Sequence, residues 1–393
     1  MAVVEPYTVG LSPPPAIVTG DLSVDLINQA QRVIDMDDRI AELEPNASPL
    51  VVLLKKLKRV QAISPKVEWL EQLLMPRYDT VTGAATNVAT TFGVNHPSFF
   101  RVGDVIRDTF TGEAMEVTGV TGTNLNVNRG IGAVPAAAIG ATDELFIVSN
   151  VNVEGASLRT IKTSKLNNMA NFCEIVRTPF GLTGTEAASK LYGGPDRDRL
   201  QAAGAIEHMR DWEQICFFGA KKEDTNTSGA PKRFAGGLIE YIITNVVAAG
   251  GALTEAVFVG FLRAGFRYGS DRKILFASPL VVQAIEGFAR NNIRVSPSDD
   301  HADTYGIAMK TYVSGQGTVD IVMERAWNDS TTYKGYAFLV DMDGMEWHTL
   351  RDTKLLEGRQ ANDADKLEDE YLTEACPVVK NEPKHALLTG VTG

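Results

Sequence analysis

The feature that most constrains this chain is a stretch unable to bury itself. From Val151 to Thr185, Val153, Leu158, Ile161 and Phe172 stand among Thr, Asn and Ser. Large apolar side chains this sparse cannot supply a core of their own, so the segment must lie on something else. A matching limb runs from Val81 to Val94, where Thr, Val, Ala and Gly alternate loosely, as extended strands or a long hairpin arm do. The first twenty residues carry Ser12-Pro13-Pro14-Pro15 and no apolar period, and read as an extended arm. Arm and limbs all need neighbours.

Between the limbs lies a compact block, Phe99 to Val148, rich in β-branched residues and punctuated by Thr111-Gly112, Val120-Thr121-Gly122 and Arg129-Gly130. Turn signals at this spacing predict a small β-barrel, with Val102, Val105, Ile106, Met115, Val117, Leu125, Val127, Leu145 and Ile147 as its interior. Helices are expected elsewhere. Leu22, Leu26, Ile27, Val33, Ile34 and Ile40 recur at helical steps. Ser48-Pro49 opens a second helix with Leu50, Leu53, Leu54, Leu57 and Val60 on one face; its Lys55, Lys56, Lys58 and Arg59 read as a solvated face, with contact to a partner or DNA as the alternative. The strongest helix runs from Arg197 to Gly219, with Leu200, Ala203, Ile206, Met209, Ile215 and Phe217 as its apolar face and Gly219 as its stop.

Beyond the polar loop Lys221 to Lys232, helix and strand patterns alternate: helices at Leu253 to Tyr268 and Pro279 to Arg290, strands at Lys273 to Ala277, Asp320 to Met323 and Tyr336 to Asp341. This predicts an α/β unit. The acidic tail from Glu357 to Glu382 ends in Cys376-Pro377-Val378-Val379, which predicts one more strand pairing back into the body.

At 393 residues the chain exceeds a single core, so two or three packed units are expected. Its 44% hydrophobic and 22% charged residues exclude disorder. The longest apolar runs, Leu50 to Leu54 and Ile242 to Ala249, fall short of the roughly 20 residues that span a bilayer, so no membrane contact is expected. The opening Met1-Ala2-Val3-Val4-Glu5-Pro6 has no secretory pattern, which places folding in a cytoplasm. A net charge of -11 argues against whole-surface binding of nucleic acid.

No chemistry is signalled. Cys173, Cys216 and Cys376 are odd in number and far apart, and read as buried thiols rather than disulfides or zinc ligands. Gly130-Ile131-Gly132 lacks the third glycine and following helix of a dinucleotide loop, and Gly219-Ala220-Lys221-Lys222 lacks the parts of a phosphate loop. Asp341-Met342-Asp343-Gly344-Met345-Glu346 is too short for a calcium loop and reads as a tight hairpin turn between Phe338 to Asp341 and Glu346 to Leu350. His208 beside Glu207 and Asp211 reads as structural, and His96, His301, His348 and His385 are scattered without a recognisable nucleophile elbow. Catalytic residues, cofactor-binding residues and metal ligands are each assigned as none.

Val33-Ile34-Asp35-Met36-Asp37-Asp38-Arg39-Ile40, Val67-Glu68-Trp69-Leu70, Arg101-Val102-Gly103-Asp104-Val105-Ile106, the run Thr111 to Thr118, Asn128-Arg129-Gly130, Glu207-His208, Phe218-Gly219, Gly236-Gly237-Leu238 and Leu350-Arg351-Asp352-Thr353 together resemble tailed-phage major capsid proteins of the Hong Kong 97-type fold, in a branch with a small β insertion in the extended loop. The resemblance covers most of the chain. It implies an α+β fold: an N-terminal arm with helices (1–63), extended loop limbs (64–98 and 149–190), a β-barrel insertion (99–148), a peripheral domain with a spine helix (191–235 and 346–393) and an axial domain (236–345). It further implies self-assembly into hexamers and pentamers of an icosahedral virion head built in the host cytoplasm. Expected partners are a separate scaffolding protein, a portal and decoration proteins, with only weak, non-specific contact to the packaged DNA. No long helical leader is seen, which suggests that separate scaffold or a very short processed piece. The alternatives are another virion part (tail or decoration), and an α/β enzyme with a cleft near His301 or His348.

Overall fold

A computed structural model describes residues 48–72, 74–155, 161–189, 196–225, 229–292, 296–297 and 310–392. The arm and the helix expected from Asp21 to Ile40 lie outside the described residues, as does His301.

The body is organised around one mixed sheet of seven strands. Its order is Val246–Gly251, Ala386–Val391, Ala337–Val340, Arg272–Ala277, Gly317–Met323, Lys310–Ser314 and Ser296–Pro297. Both faces of this sheet are covered. Phe276, Val322, Phe338, Val340 and Leu387 face the spine helix side, while Leu275, Ala277, Val319, Ile321, Leu339 and Leu388 pack under the helices Glu255–Gly265 and Pro279–Asn292. Alternation along each strand therefore feeds two cores, which is why Ala337-Phe338-Leu339-Val340 is apolar throughout and wholly buried. Each helix and strand expected between Leu253 and Asp341 is present.

Beside it lies a four-stranded sheet in the order Arg59–Gln61, Met345–Leu356, Lys366–Val379, Glu174–Thr183. The spine helix, Asp196–Phe218, crosses it. Asp196 and Asp198 occupy the first turn, where carboxylates suit the helix dipole. The helix stops at a close approach of two glycines: Gly237 N–H donates to Gly219 O at 2.8 Å, and a Cβ on Gly219 would sit 2.3 Å from Ala235 O. Only glycines fit there.

Its buried face differs from the expected one. Gly204, His208, Trp212, Glu213, Cys216 and Phe217 are buried, whereas Ala203 is exposed and Leu200, Ile206, Met209 and Ile215 are only half-buried. Of the expected face Phe217 is buried and Met209 and Ile215 pack against the core, but the face turned inward also includes a histidine and a glutamate, which counting apolar side chains leaves out. In the shorter helix Pro49–Leu57, Leu50, Val51, Leu53 and Leu54 are buried, but Leu57 is exposed and Val60 has already entered a strand.

The β block begins earlier than Phe99. Its six antiparallel strands are ordered Tyr78–Thr80, Glu144–Asn150, Asp104–Asp108, Ala114–Thr121, Asn124–Asn128, Thr91–Gly93. Thr82 N–H donates to Gly93 O at 3.0 Å and Asn95 N–H to Thr80 O at 3.1 Å, joining the two end strands and closing the barrel. The strands at 78–80 and 91–93, expected in a limb, are thus barrel wall. Val81, Phe92, Val94, Phe100 and Ile139 join Ile106, Met115, Val117, Leu125, Val127 and Leu145 in its core. Val102 is instead exposed, and Val105 and Ile147 are half-buried.

Two other expectations change. Glu174–Thr183, also expected in a limb, pairs along its length with Lys366–Val379 and belongs to the body. Ala386–Val391 leaves the four-stranded sheet and enters the seven-stranded one, between Val246–Gly251 and Ala337–Val340.

Candidate functional site

The groups that might have carried chemistry are each tied to structural neighbours. His208 is buried between Thr178 Oγ1 at 2.9 Å and Thr373 Oγ1 at 2.7 Å, and burial pushes its pKa down to about 4. Glu207 and Asp211 beside it face solvent. Gly130 turns the chain in the left-handed region, and its N–H donates to Glu113 Oε1.

The Asp341 to Glu346 segment is a 3-10 turn, not a hairpin. The strands on either side belong to different sheets and do not pair. Its three carboxylates serve separate partners: Asp341 accepts from Ser270 N–H and Oγ–H, Asp343 pairs with Lys58, and Glu346 pairs with Lys380 and His348. Among the described residues no group of three His, Cys, Asp or Glu could hold a metal ion. No described helix is long and apolar enough to cross a membrane. A groove of ≈ 810 Å³ is lined by Arg177, Phe180, Thr183, Arg359, Lys366 and Glu370, but Arg177 and Arg359 both donate to Glu370, whose carboxylate pairs with both.

What stands out is the limb, Lys66–Glu71 paired antiparallel with Asn167–Phe172. The ribbon is pinned to the body by polar groups, Asn171 near its root and Glu71 at its other end. Asn171 Nδ2 donates to Gly236 O at 2.9 Å and Pro377 O at 2.6 Å, while its Oδ1 accepts from Gly236 N–H at 2.8 Å. Glu71 Oε1 accepts the Trp69 indole N–H and the Asn381 N–H, each at 2.7 Å.

Beyond these pins the apolar residues have no cover. Leu74 is 86% exposed, Val153 82% and Ile161 76%, with Leu70 and Leu166 more than half exposed. The Lys162 ammonium donates to Phe99 O, tying this segment to the start of the Asp104–Asp108 side of the barrel. Desolvation there, then the nearby Arg101 charge, lowers the Lys162 pKa. A rooted arm with bare apolar side chains suits docking onto another surface.

The spine helix carries a second polar device. Glu213 Oε1 accepts from Leu50 N–H and Oε2 from Val51 N–H, both at 2.8 Å, so it caps the Pro49–Leu57 helix that Ser48 leaves without a side-chain cap. Burial raises its pKa to about 7 despite those bonds. Sequence reading missed Asn171, Glu71 and Glu213. Each is a single polar residue whose partners lie far along the chain, and no local pattern marks such a residue.

The family model described as SU10 major capsid protein matches residues 19–392. The chain belongs to that family. SU10-type major capsid proteins are structural shell proteins, not enzymes. The major capsid protein of Pseudomonas phage PaMx41 is 26% identical over 200 residues, covering 50% of this chain and 48% of the relative; the match thus spans about half the length of that curated protein. Among solved structures, one from Mycobacterium phage Bobi is 10% identical, covers 95% of this chain and 100% of its own, and superposes with a TM-score of 0.51. The capsid of an empty GTA particle is 8% identical, with 94% and 98% covered and a TM-score of 0.50. At such identities the likeness carries the fold alone: the α+β architecture is the Hong Kong 97-type fold.

Proposed function

We propose that this SU10-type major capsid protein forms the shell of a tailed-phage head by associating with copies of itself into hexamers and pentamers, and that the limb is the element that reaches a neighbour. One observation carries the reading: the ribbon is fixed to the body by Asn171 near its root and by Glu71 at its other end, yet the chain beyond it presents Leu74, Val153 and Ile161 bare. A subunit acting alone gains nothing from that arrangement, whereas a closed array of copies covers every limb.

Residues 1–63 are read as arm and helices, 64–77 and 151–173 as the limb, 78–150 as a barrel added to the loop, and the spine helix as the backbone of the peripheral domain. A separate scaffolding protein, a portal and decoration proteins are the further partners proposed, with assembly in the host cytoplasm. Contact with the packaged DNA is expected to be weak, since the net charge of -11 opposes phosphate binding.

Size-exclusion chromatography and negative-stain microscopy of the full chain, alone and with a candidate scaffolding protein, test the proposal. Shells or six-membered rings are expected. A small closed oligomer under both conditions would overturn it.

A further inference from the structure

The sequence separates Cys173 from Cys376 by 203 positions, but the fold brings their sulfurs to 3.7 Å. They stand at the next register position beyond the pair Glu174 and Ala375, directly across two antiparallel strands. Cys173 gives its backbone N–H to Pro65 O and not to the facing strand. Facing positions not joined by ladder hydrogen bonds bring side chains closest, with Cα atoms about 4.5 Å apart, inside the range a disulfide spans. Both thiols are buried, and Cys216, the third, is buried in the same core. The position also has meaning in the fold: Cys173 lies between the end of the limb strand at Phe172 and the start of the body strand at Glu174, while Cys376 lies in the middle of the body sheet.

We propose that Cys173 and Cys376 are a latent disulfide site, which closes when the folded subunit meets a small-molecule disulfide such as oxidised glutathione, and which then locks the limb root covalently to the body. Exchange proceeds in two balanced steps. The Cys173 thiol loses its proton and its sulfur attacks one sulfur of the small disulfide, releasing one small thiol and leaving a mixed disulfide. The Cys376 sulfur, losing its proton, then attacks Cys173 sulfur and releases the second small thiol. Two protein thiols and one small disulfide become one protein disulfide and two small thiols. The hydrogen bond from Cys376 lowers the Cys173 pKa while raising that of Cys376, which makes Cys173 the first attacker. Burial makes the first step slow, so local opening of the core sets its rate.

The test uses the reduced full-length chain, incubated with oxidised glutathione in buffer and in sub-denaturing urea, then unfolded, alkylated and weighed intact. The expected product accepts one alkyl group, on Cys216, and retains no glutathione. Dithiothreitol reverses it, and its melting temperature is higher by about 5 °C. Cys216→Ser is expected to bridge as the parent does, and Cys376→Ser to hold one glutathione on Cys173. Three alkylated cysteines in both conditions, glutathione adducts on the parent that never resolve, or a bridge mapped to Cys216 would each overturn the proposal.

Discussion

Glu324 hydrogen-bonds Glu213 inside the core, where neither carboxyl meets water. Burial is the first cause that raises both pKa values, Glu213 to about 7 and Glu324 well above the ordinary carboxylate range. The pair therefore holds a proton at neutral pH, with Glu324 as donor and Glu213 free to cap Leu50 and Val51.

A raised folded pKa gives stability that is complete below the unfolded value near 4.5 and is lost as pH rises through the folded value. Thermal stability is thus expected to fall as pH rises from about 4.5 through about 7 on account of Glu213, and to fall further above that as Glu324 gives up its proton. Glu324→Gln keeps a donor for Glu213 and removes the Glu324 titration; it should flatten the alkaline part of that slope, above pH 7, and raise stability there. His208 and His385 act in the opposite direction, because burial lowers both to about 4. Their contribution is present above pH 6.5 and lost as pH falls through about 4. An alkaline slope unchanged in Glu324→Gln would refute the shared proton.

Asn171 joins the limb root to two body segments. Asn171→Ala leaves Gly236 O, Gly236 N–H and Pro377 O without their partner, at a cost of about 3 kcal/mol. Hydrogen exchange is expected to quicken across 66–71 and 167–172 before it does so in the spine helix. Equal acceleration in both would show that the asparagine supports the whole body and not the root.

Inside the barrel Arg129 pairs with Glu113 and donates to Thr86 O, Ala89 O and Ala137 O. Arg129→Met strands a buried carboxylate, and a loss of about 3–5 kcal/mol is expected, confined to residues 78–150. Limited proteolysis should cut there first. Cleavage that begins elsewhere would mean the barrel does not depend on this pair.

Ile161→Asp places a charge on the bare limb. The folded subunit should melt within about 0.5 kcal/mol of the parent, while assembly weakens about tenfold or more. Unchanged assembly would remove this part of the limb from the contact.

Lys162, Lys165, Asn381 and Glu382 supply the residue types for a Lys–Asn crosslink, but their roles in the subunit are already assigned in part: Lys162 is bonded to Phe99 O, and Glu382 accepts from Ile243 and Thr244 N–H. No crosslink is expected. Denaturing electrophoresis of mature particles should give one band near 42.6 kDa, and a ladder of multiples would contradict it.

Periodic features could be read without coordinates. The helices Glu255–Gly265 and Pro279–Asn292, the strands around them and the glycine turns at Gly112 and Gly122 follow local rules that sequence displays. The barrel's edge was misread because Thr91–Gly93 is only three residues long and finds its partners at Asn124–Asn126 and across the seam at Val81. The inward face of the spine helix was only partly legible, because its His208 and Glu213 are satisfied by Thr373 and by the Pro49–Leu57 helix, which no window along the helix contains. Cys173 and Cys376 looked unrelated for the same reason.

The strand Ala386–Val391 sits inside the seven-stranded sheet, with Val246–Gly251 on one side and Ala337–Val340 on the other. A ribosome releases that strand after every other strand of the sheet, so a growing chain keeps Val246–Gly251 apart from Ala337–Val340 until residue 391 has emerged. A chain broken off upstream of residue 386 is therefore left with open sheet edges at Val246–Gly251 and Ala337–Val340, where unpaired backbone groups invite non-native pairing.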